Sequence, residues 1–297
     1  MNKKRAVVLV TVLLALTGLV SAQAPPKPAS AMIYIPVGVS GPKNVPVAGL
    51  KKDNFVLLED NIQQTISAFY EENTPIDIDI ILALGALQRG RTDLVSVKIR
   101  EAIENFRHQS NSQNKYTVEE MPFGANGIWD GLSRHVTRLS QNSIAPRKMV
   151  LAITDGFEAS GGEPARALQE YAKKLDVPIY IIFAAHAGTA VSDNIQEVAR
   201  GEKIYLSGGA GYEDLTRYTG GRLYQAEADT QLGPFLESLA KELKSQYVLG
   251  FRSTNDARDD KWRKIEVKIK APGGIGDIKE KDMKPKARDR YFVAKVK

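Results

Sequence analysis

Four groups of residues in this chain are of types that do chemistry. The first is Asp155, which stands with Gly156 directly after the apolar run at residues 149–153. Open α/β sheets bind ligands beyond the carboxyl ends of their strands, so a carboxylate there can be presented to a ligand or a metal. The same Asp can instead cap the following turn through its side chain. Residue type leaves both readings open. The second group is Asp77 and Asp79, two apart on a strand and therefore pointing to one side, as a hydrolytic carboxylate pair must. They sit at the start of their apolar run, away from the expected ligand edge, so a solvated strand start is the expectation. The third group is His108, His135 and His186, none of which has the spacing of a zinc site. His135 falls on an expected helix, at its surface or boundary. The fourth is the Gly-rich stretch at 207–211, which lacks the Lys-Ser/Thr of a phosphate loop and reads as a plain loop. No Gly-x-Ser-x-Gly elbow and no Walker loop occur.

The elements that position these residues alternate. Residues 76–84, 149–153 and 177–183 are apolar runs bounded by turn residues, which reads as strands buried on both faces. Between them lie helical patterns. Val95, Ile99, Ala102, Ile103 and Phe106 make one stripe, with Thr92 as cap; Ile128, Leu132, Val136 and Leu139 make another. Residues 163–175 form a third helix with Pro164 in its first turn. A loop follows the third strand, then a short helix at 212–218 stopped by Gly220 and Gly221, and a short strand at 222–225. Asp229 caps a last helix with Leu232, Phe235, Leu236, Leu239 and Leu243 on its core face. Strands alternating with helices at this spacing predict α/β structure, a doubly wound parallel sheet.

Both ends of the chain read as β structure. Ile33, Ile35 and Val37 alternate; residues 55–58 and 65–69 are short strands joined by a turn at 59–61. After Gln246, residues 247–251, 262–270 and 291–294 are strands, the middle one with Ile265, Val267 and Ile269 on one side and Lys264, Glu266 and Lys268 on the other. Neither end has enough strands to stand alone, so the two are expected to pack into one flanking, β-sandwich-like unit. The expected division is 1–22 signal peptide, 23–31 Pro-rich spacer, 32–73 with 246–297 as the flanking β unit, and 74–245 as the α/β domain.

The first residues carry an address. Lys3, Lys4 and Arg5 precede the apolar run at 6–20, and Val20-Ser21-Ala22 supplies small residues before Gln23. That is a secretory signal peptide with cleavage expected after Ala22, and it predicts a secreted or periplasmic protein. No later segment is apolar enough for a stable membrane span. The 297 residues contain no cysteine, which excludes a disulfide framework and a cysteine-anchored lipoprotein. Loss of Lys3, Lys4 and Arg5 with the leader takes the formal charge from +6 to +3, too weak to suggest nucleic acid as a partner.

Several short motifs recur in a fixed order: Val47-Ala-Gly-Leu50 with residues 53–60, Gln64, Thr154-Asp155-Gly156, Thr219-Gly-Gly-Arg222, Ser245 to Phe251, Trp262-Arg263, and Arg290-Tyr291. Through nearly the whole mature chain this set resembles the von Willebrand factor A-related domain proteins first grouped from Acidobacteria. The resemblance implies a von Willebrand factor A-like domain whose carboxyl edge commonly binds a divalent cation, which in turn binds a partner's carboxylate. It implies an Asp-x-Ser-x-Ser motif after the first strand, a Thr from a later loop, and the Asp of the Asp-Gly turn. This sequence departs from that pattern. The first motif falls on Ala83-Leu84-Gly85-Ala86-Leu87, with no side-chain oxygen; the Thr position falls near Asn126; Asp155 alone matches. The interval from Ala83 to Asn126 is also short, as if an edge hairpin were trimmed to a remnant strand at 116–118.

Asp155, Asn126, Gly85 and Gly156 are therefore the candidate ligand or partner edge, with no catalytic residue and no metal expected, magnesium being the alternative. The expected function is an exported, metal-independent binding module for another protein or a cell-envelope or surface polymer. Two alternatives stand beside it: a metal-dependent adhesion module with unusual ligands around Asp155, and a hydrolase using Asp155 or Asp77 with Asp79. Phosphatase-type Asp-x-Asp pairs follow an apolar strand, whereas this pair precedes one.

Overall fold

The computed structural model describes residues 32–84, 92–121, 127–154, 157–158, 163–184, 196–199, 202–206, 209–226 and 231–295. The chain opens with β1 (Ile33–Ser40), β2 (Phe55–Glu59), β3 (Ile62–Gln64) and β4 (Ile66–Tyr70). Alternation follows, through β5 (Asp77–Ala83), α1 (Thr92–Gln109), β6 (Lys115–Glu120), α2 (Gly127–Asn142), β7 (Lys148–Thr154), β8 (Phe157–Glu158), α3 (Glu163–Ala172) and β9 (Ile179–Ala184). Then come β10 (Gln196–Ala199), β11 (Glu202–Leu206), α4 (Gly209–Thr219), β12 (Leu223–Ala226) and α5 (Leu232–Lys244). The chain ends in β13 (Gln246–Phe251), β14 (Lys261–Ile269), β15 (Lys284–Lys286) and β16 (Arg290–Val293).

The central sheet is parallel, in the order β12-β9-β7-β5-β6. β5 and β7 are buried at every residue after their first, which is why each is a continuous apolar run rather than an alternating one. Successive side chains still divide between two cores. Ile78, Ile80 and Leu82 of β5 and Met149, Leu151 and Ile153 of β7 pack with Ile99, Ile103 and Phe106 of α1 and Leu232, Leu236, Leu239 and Leu243 of α5. Ile81, Ala83, Val150 and Ala152 pack on the other face with Leu132, Val136 and Leu139 of α2, Leu168 of α3, and Tyr212 and Leu215 of α4. Helices therefore cover both faces, and the doubly wound α/β class expected from the sequence is the one observed. Among the described residues no helix is long and apolar enough to cross a membrane.

The Thr-Gly-Gly-Arg motif ties α4 to this sheet. Thr219 Oγ1 accepts the Ile179 backbone N–H at 3.1 Å and donates to the Leu215 carbonyl at 2.9 Å. Gly220 has φ +84, and a Cβ on Gly221 would lie 1.9 Å from the Ile179 carbonyl oxygen. Only glycine fits either position.

The two ends of the chain interleave into two four-stranded antiparallel sheets, β15-β1-β13-β4 and β16-β14-β2-β3. Their inner faces share one core, with Ile35, Val37, Tyr247, Leu249 and Phe251 from the first sheet and Phe55, Leu57, Ile265 and Tyr291 from the second. Tyr247 is fully buried yet satisfied: its Oη accepts from the Leu50 N–H at 3.1 Å and donates to the Val47 carbonyl at 2.9 Å. The β2–β3 hairpin turns at Asp60 and Asn61, both with positive φ, as a two-residue turn of this hand requires. Deleting residues 246–297 removes both neighbours of β1. Hydrogen exchange should then show residues 33–40 unprotected; retained protection there would mean the N-terminal strands hold together alone.

The strand expected at 116–118 is present and longer, as the six-residue β6 parallel to β5. Two sequence expectations need correction. The Gly-rich stretch is not all loop, since α4 begins at Gly209. The stretch after β9 contains a hairpin, β10 with β11, where only a loop is expected from the sequence. Asp229, the expected cap of α5, lies outside the described residues.

Candidate functional site

The strands of the central sheet end level. Ala83 of β5 pairs with Thr154 of β7, and Thr154 with Phe183 of β9. The candidate edge residues Asp155, Gly156, Gly85 and Asn126 all lie outside the described residues. The described residues at that edge, Ala83, Leu84 and Thr154, are buried. Just beyond β7, β8 pairs with β11 and β11 with β10, so a small antiparallel sheet follows the end of the central strand.

The donor set at the first-strand positions does not fit a hard divalent cation. Ala83 carries a methyl group, Leu84 beside it an isobutyl group, and Gly85 and Leu87 no side-chain oxygen. Magnesium demands a near-octahedral shell of oxygens and dehydrates reluctantly.

Charged chemistry is concentrated elsewhere, between β5, β6 and α2. Asp79 is fully buried. Its Oδ2 accepts from His135 Nδ1 at 2.6 Å and from Arg138 Nε at 2.8 Å, while Arg138 Nη2 pairs with Oδ1. The other ring nitrogen of His135 lies 2.6 Å from Glu119 Oε2, and Arg134 Nη2 donates to Glu119 Oε1 at 2.7 Å. Asp77 is drawn in more loosely, 3.7 Å from Arg138 Nη2. The positions follow from periodicity. Asp77 and Asp79 share the β5 face that Ile81 and Ala83 present to α2, and His135 and Arg138 are three apart on the helix, hence on one side of it.

A histidine with a carboxylate oxygen at each nitrogen is an imidazolium, because both nitrogens must donate. The hydrogen bond to Asp79 raises the His135 pKa above its ordinary value against the opposing effect of burial, with Glu119 adding to the rise. For Asp79 burial pushes upward, but hydrogen bonds from His135 and Arg138 and their charges outweigh it and hold the carboxyl below its usual range. Asp79 is thus no solvated strand start and His135 no surface residue. Burial of β5 on both faces left the carboxylate no outward side, so α2 supplies its counter-charges. Among the described residues no cluster of three or more His, Cys, Asp or Glu could hold a metal ion.

A cleft of about 1220 Å³ separates the amino end of the central sheet from the β sandwich, lined in part by Tyr180, Lys148, Arg222, Glu242 and Lys286. Arg222 Nη1 lies 3.0 Å from Glu242 Oε2. Burial lowers the Lys148 and Lys286 pKa values, the neighbouring Arg222 adding to the effect on Lys286. Arg288 bridges the two units through Asp176 and, at 3.0 Å, the Tyr34 carbonyl.

Parallel strands in this order, with helices on both faces, define a doubly wound α/β domain, joined to a β sandwich made by both chain ends. The chain is similar to several solved structures at low identity. One is the conserved hypothetical protein BatB of Bacteroides thetaiotaomicron, at 10% identity and a TM-score of 0.37 over 57% of this chain and 98% of that one. Another is an aerotolerance-related membrane protein of Bacteroides fragilis, at 9% identity and a TM-score of 0.37 over 57% of this chain and 98% of that one. A von Willebrand factor type A structure from Catenulispora acidiphila matches 91% of this chain and 75% of its own at 7% identity, with a TM-score of 0.42. No family model matches the sequence, and no curated protein does.

Proposed function

We infer that the protein is an exported, non-catalytic binding module that engages another protein or a cell-envelope or surface polymer without a metal ion. The observation that carries this reading is in the sequence: Ala83, Gly85 and Leu87 stand where the resemblance puts the oxygen ligands of a metal-dependent adhesion site. Export rests on the leader at 1–22. The reading against catalysis is supported by the fate of Asp79: its lone pairs are committed to His135 and Arg138, and His135 as an imidazolium has no free base to offer. A hydrolase built on Asp77 and Asp79 would need a carboxylate free to meet substrate.

Calorimetry of the mature chain with magnesium and with manganese tests the reading. A single carboxylate should give no binding tighter than about millimolar. Chelators should leave the melting temperature unchanged, because a ligand stabilises only as far as it binds the native state. Asp155→Ala should lose about 1 kcal/mol, as for a lost cap, with no change in metal response. Micromolar binding that disappears in Asp155→Ala would overturn the reading and restore metal-dependent adhesion.

A further inference from the structure

β6 is the edge of the central sheet, and among the described residues no strand pairs with its outer side. The orientation of its backbone is fixed by its inner ladder. The Lys115 and Met121 N–H groups donate to the Ile76 and Leu82 carbonyls of the β5 segment at 3.0 and 2.8 Å. Backbone groups alternate along a strand, so Thr117 and Glu119 also face β5, and Tyr116, Val118 and Glu120 turn their N–H and C=O groups outward. Such an edge is a template for another strand unless proline, a bulge or a covering element blunts it. β6 has no proline, and its register with β5 is unbroken over six residues.

We propose that β6 is a self-association edge, on which a second copy of this chain adds its own β6 antiparallel, centred on Thr117. Directly opposed residues in an antiparallel pair must have the same backbone orientation. Only registers centred on a residue are therefore allowed for a symmetric pair. Centring on Thr117 sets Lys115 opposite Glu119 of the second copy, twice, and Tyr116 opposite Val118, twice. Centring on Val118 sets Thr117 against Glu119 and Tyr116 against Glu120, with no charge compensated. The first register is self-complementary, and cross-strand pairs of opposite charge and of aromatic with β-branched residues are the favourable ones.

The side chains are placed for it. Lys115 is exposed and has no ion-pair partner among the described residues. Val118 is 44% exposed, one of few large apolar side chains left so open. Glu119 already holds His135 and Arg134 on α2, which fixes its carboxylate on the face where Lys115 of the other copy arrives. Tyr116 is held on the opposite face by the Arg107 guanidinium, 5.1 Å from its ring centre, and by Asn114 Nδ2 at 3.1 Å. The two-fold axis stands perpendicular to the sheet through Thr117. It sets α1 beside its own copy on one face and α2 beside its copy on the other, in one continuous ten-stranded sheet.

The chain has no cysteine, so single cysteines report the register cleanly. Thr117 faces its own copy as a non-hydrogen-bonded pair, with Cα atoms about 4.5 Å apart, within disulfide reach. Mild oxidation should convert Thr117→Cys largely to a covalent dimer and Val118→Cys to little. The unmodified mature chain should sediment as a monomer–dimer equilibrium that shifts with concentration. Val118→Pro removes an outward N–H without touching the β5 ladder, and should sediment as a monomer and melt with the parent at dilutions where both are monomeric. Lys115→Glu should do the same by opposing two carboxylates. A chain that is monomeric at every concentration overturns the proposal, even if another protein's strand is captured at this edge. A dimer that survives both Val118→Pro and Lys115→Glu overturns it as well, as does preferential cross-linking of Val118→Cys.

Discussion

Asp79→Ala should melt lower than the parent by about 10 °C, the counterpart of losing about 3–5 kcal/mol when one partner of a buried ion pair is removed. The substitution removes the buried acceptor of His135 Nδ1 and of Arg138, leaving the imidazolium only Glu119 and the guanidinium only the more distant Asp77. Arg138 can swing toward water, being partly exposed, but His135 cannot. His135→Gln costs less, because Arg138 still holds Asp79. The pH dependence separates a charged histidine from a merely packed one. The folded-state pKa of His135 is raised, so its contribution is complete below about 6.5, the unfolded value, and is lost as pH rises through the folded value. The folded-state pKa of Asp79 is lowered, so its contribution is present above about 3.9 and is lost as pH falls through the folded value. The stability difference between the parent and His135→Gln should therefore shrink on the alkaline side. Urea titrations from about pH 5 to about pH 9 measure it, and a difference that stays constant across that range means His135 is neutral in the fold.

The second large effect belongs to Arg147. This side chain is 3% exposed, and among the described residues no carboxylate pairs with it. Its Nη1 donates to the Thr74 carbonyl at 2.7 Å, and its Nη2 to the Leu243 carbonyl at 2.6 Å and to Gln246 Oε1 at 3.0 Å. Thr74 lies where the chain leaves β4 for β5, and Leu243 where it leaves α5 for β13. One guanidinium thus ties both crossings between the sandwich and the α/β domain, which also touch through the Asn73 N–H and Lys244 carbonyl at 2.7 Å. Burial pulls its pKa down to about 10, which still leaves it charged at neutral pH. Arg147→Met conserves most of the volume and orphans three acceptors at about 1–3 kcal/mol each, partly offset by no longer burying a charge, so a net loss of about 3 kcal/mol is expected. Arg147→Lys should lose nearly as much, since a point charge cannot span the three acceptors. Amide exchange at Asn73 should quicken in both variants before the central sheet loosens. If Arg147→Met melts with the parent and keeps Asn73 protected, the crossings are held by the backbone alone.

Much of this fold is written locally. The apolar runs of β5, β7 and β9 and the stripes of α1, α2 and α5 announce a covered parallel sheet, because burial on both faces or one leaves different periods in the sequence. The alternation at Ile33, Ile35 and Val37, and again at Ile265, Val267 and Ile269, announces one-sided sheets at the chain ends. β6 escapes that logic: as an edge strand with mostly exposed side chains it needs no apolar pattern. The site was less legible. Asp79 reads as solvated when judged by its neighbours along the chain. A strand buried on both faces gives its third residue no outward side, so the same run that identified β5 required Asp79 to be inside and paired. What the sequence does not display is that His135 and Arg138, a helix away, are the partners, since that depends on how α2 is rotated over the sheet.

Among the described strands β1 comes first, and both strands it pairs with, β13 and β15, follow the α/β domain in the chain. Its inner-face side chains Ile35, Val37 and Val39 have no sheet to join until residue 246 has emerged. The α/β domain has all its strands by β12 and can close while the sandwich is still half made. The ordering makes completion of the fold wait on the C-terminus, with long-range pairing as the slow step.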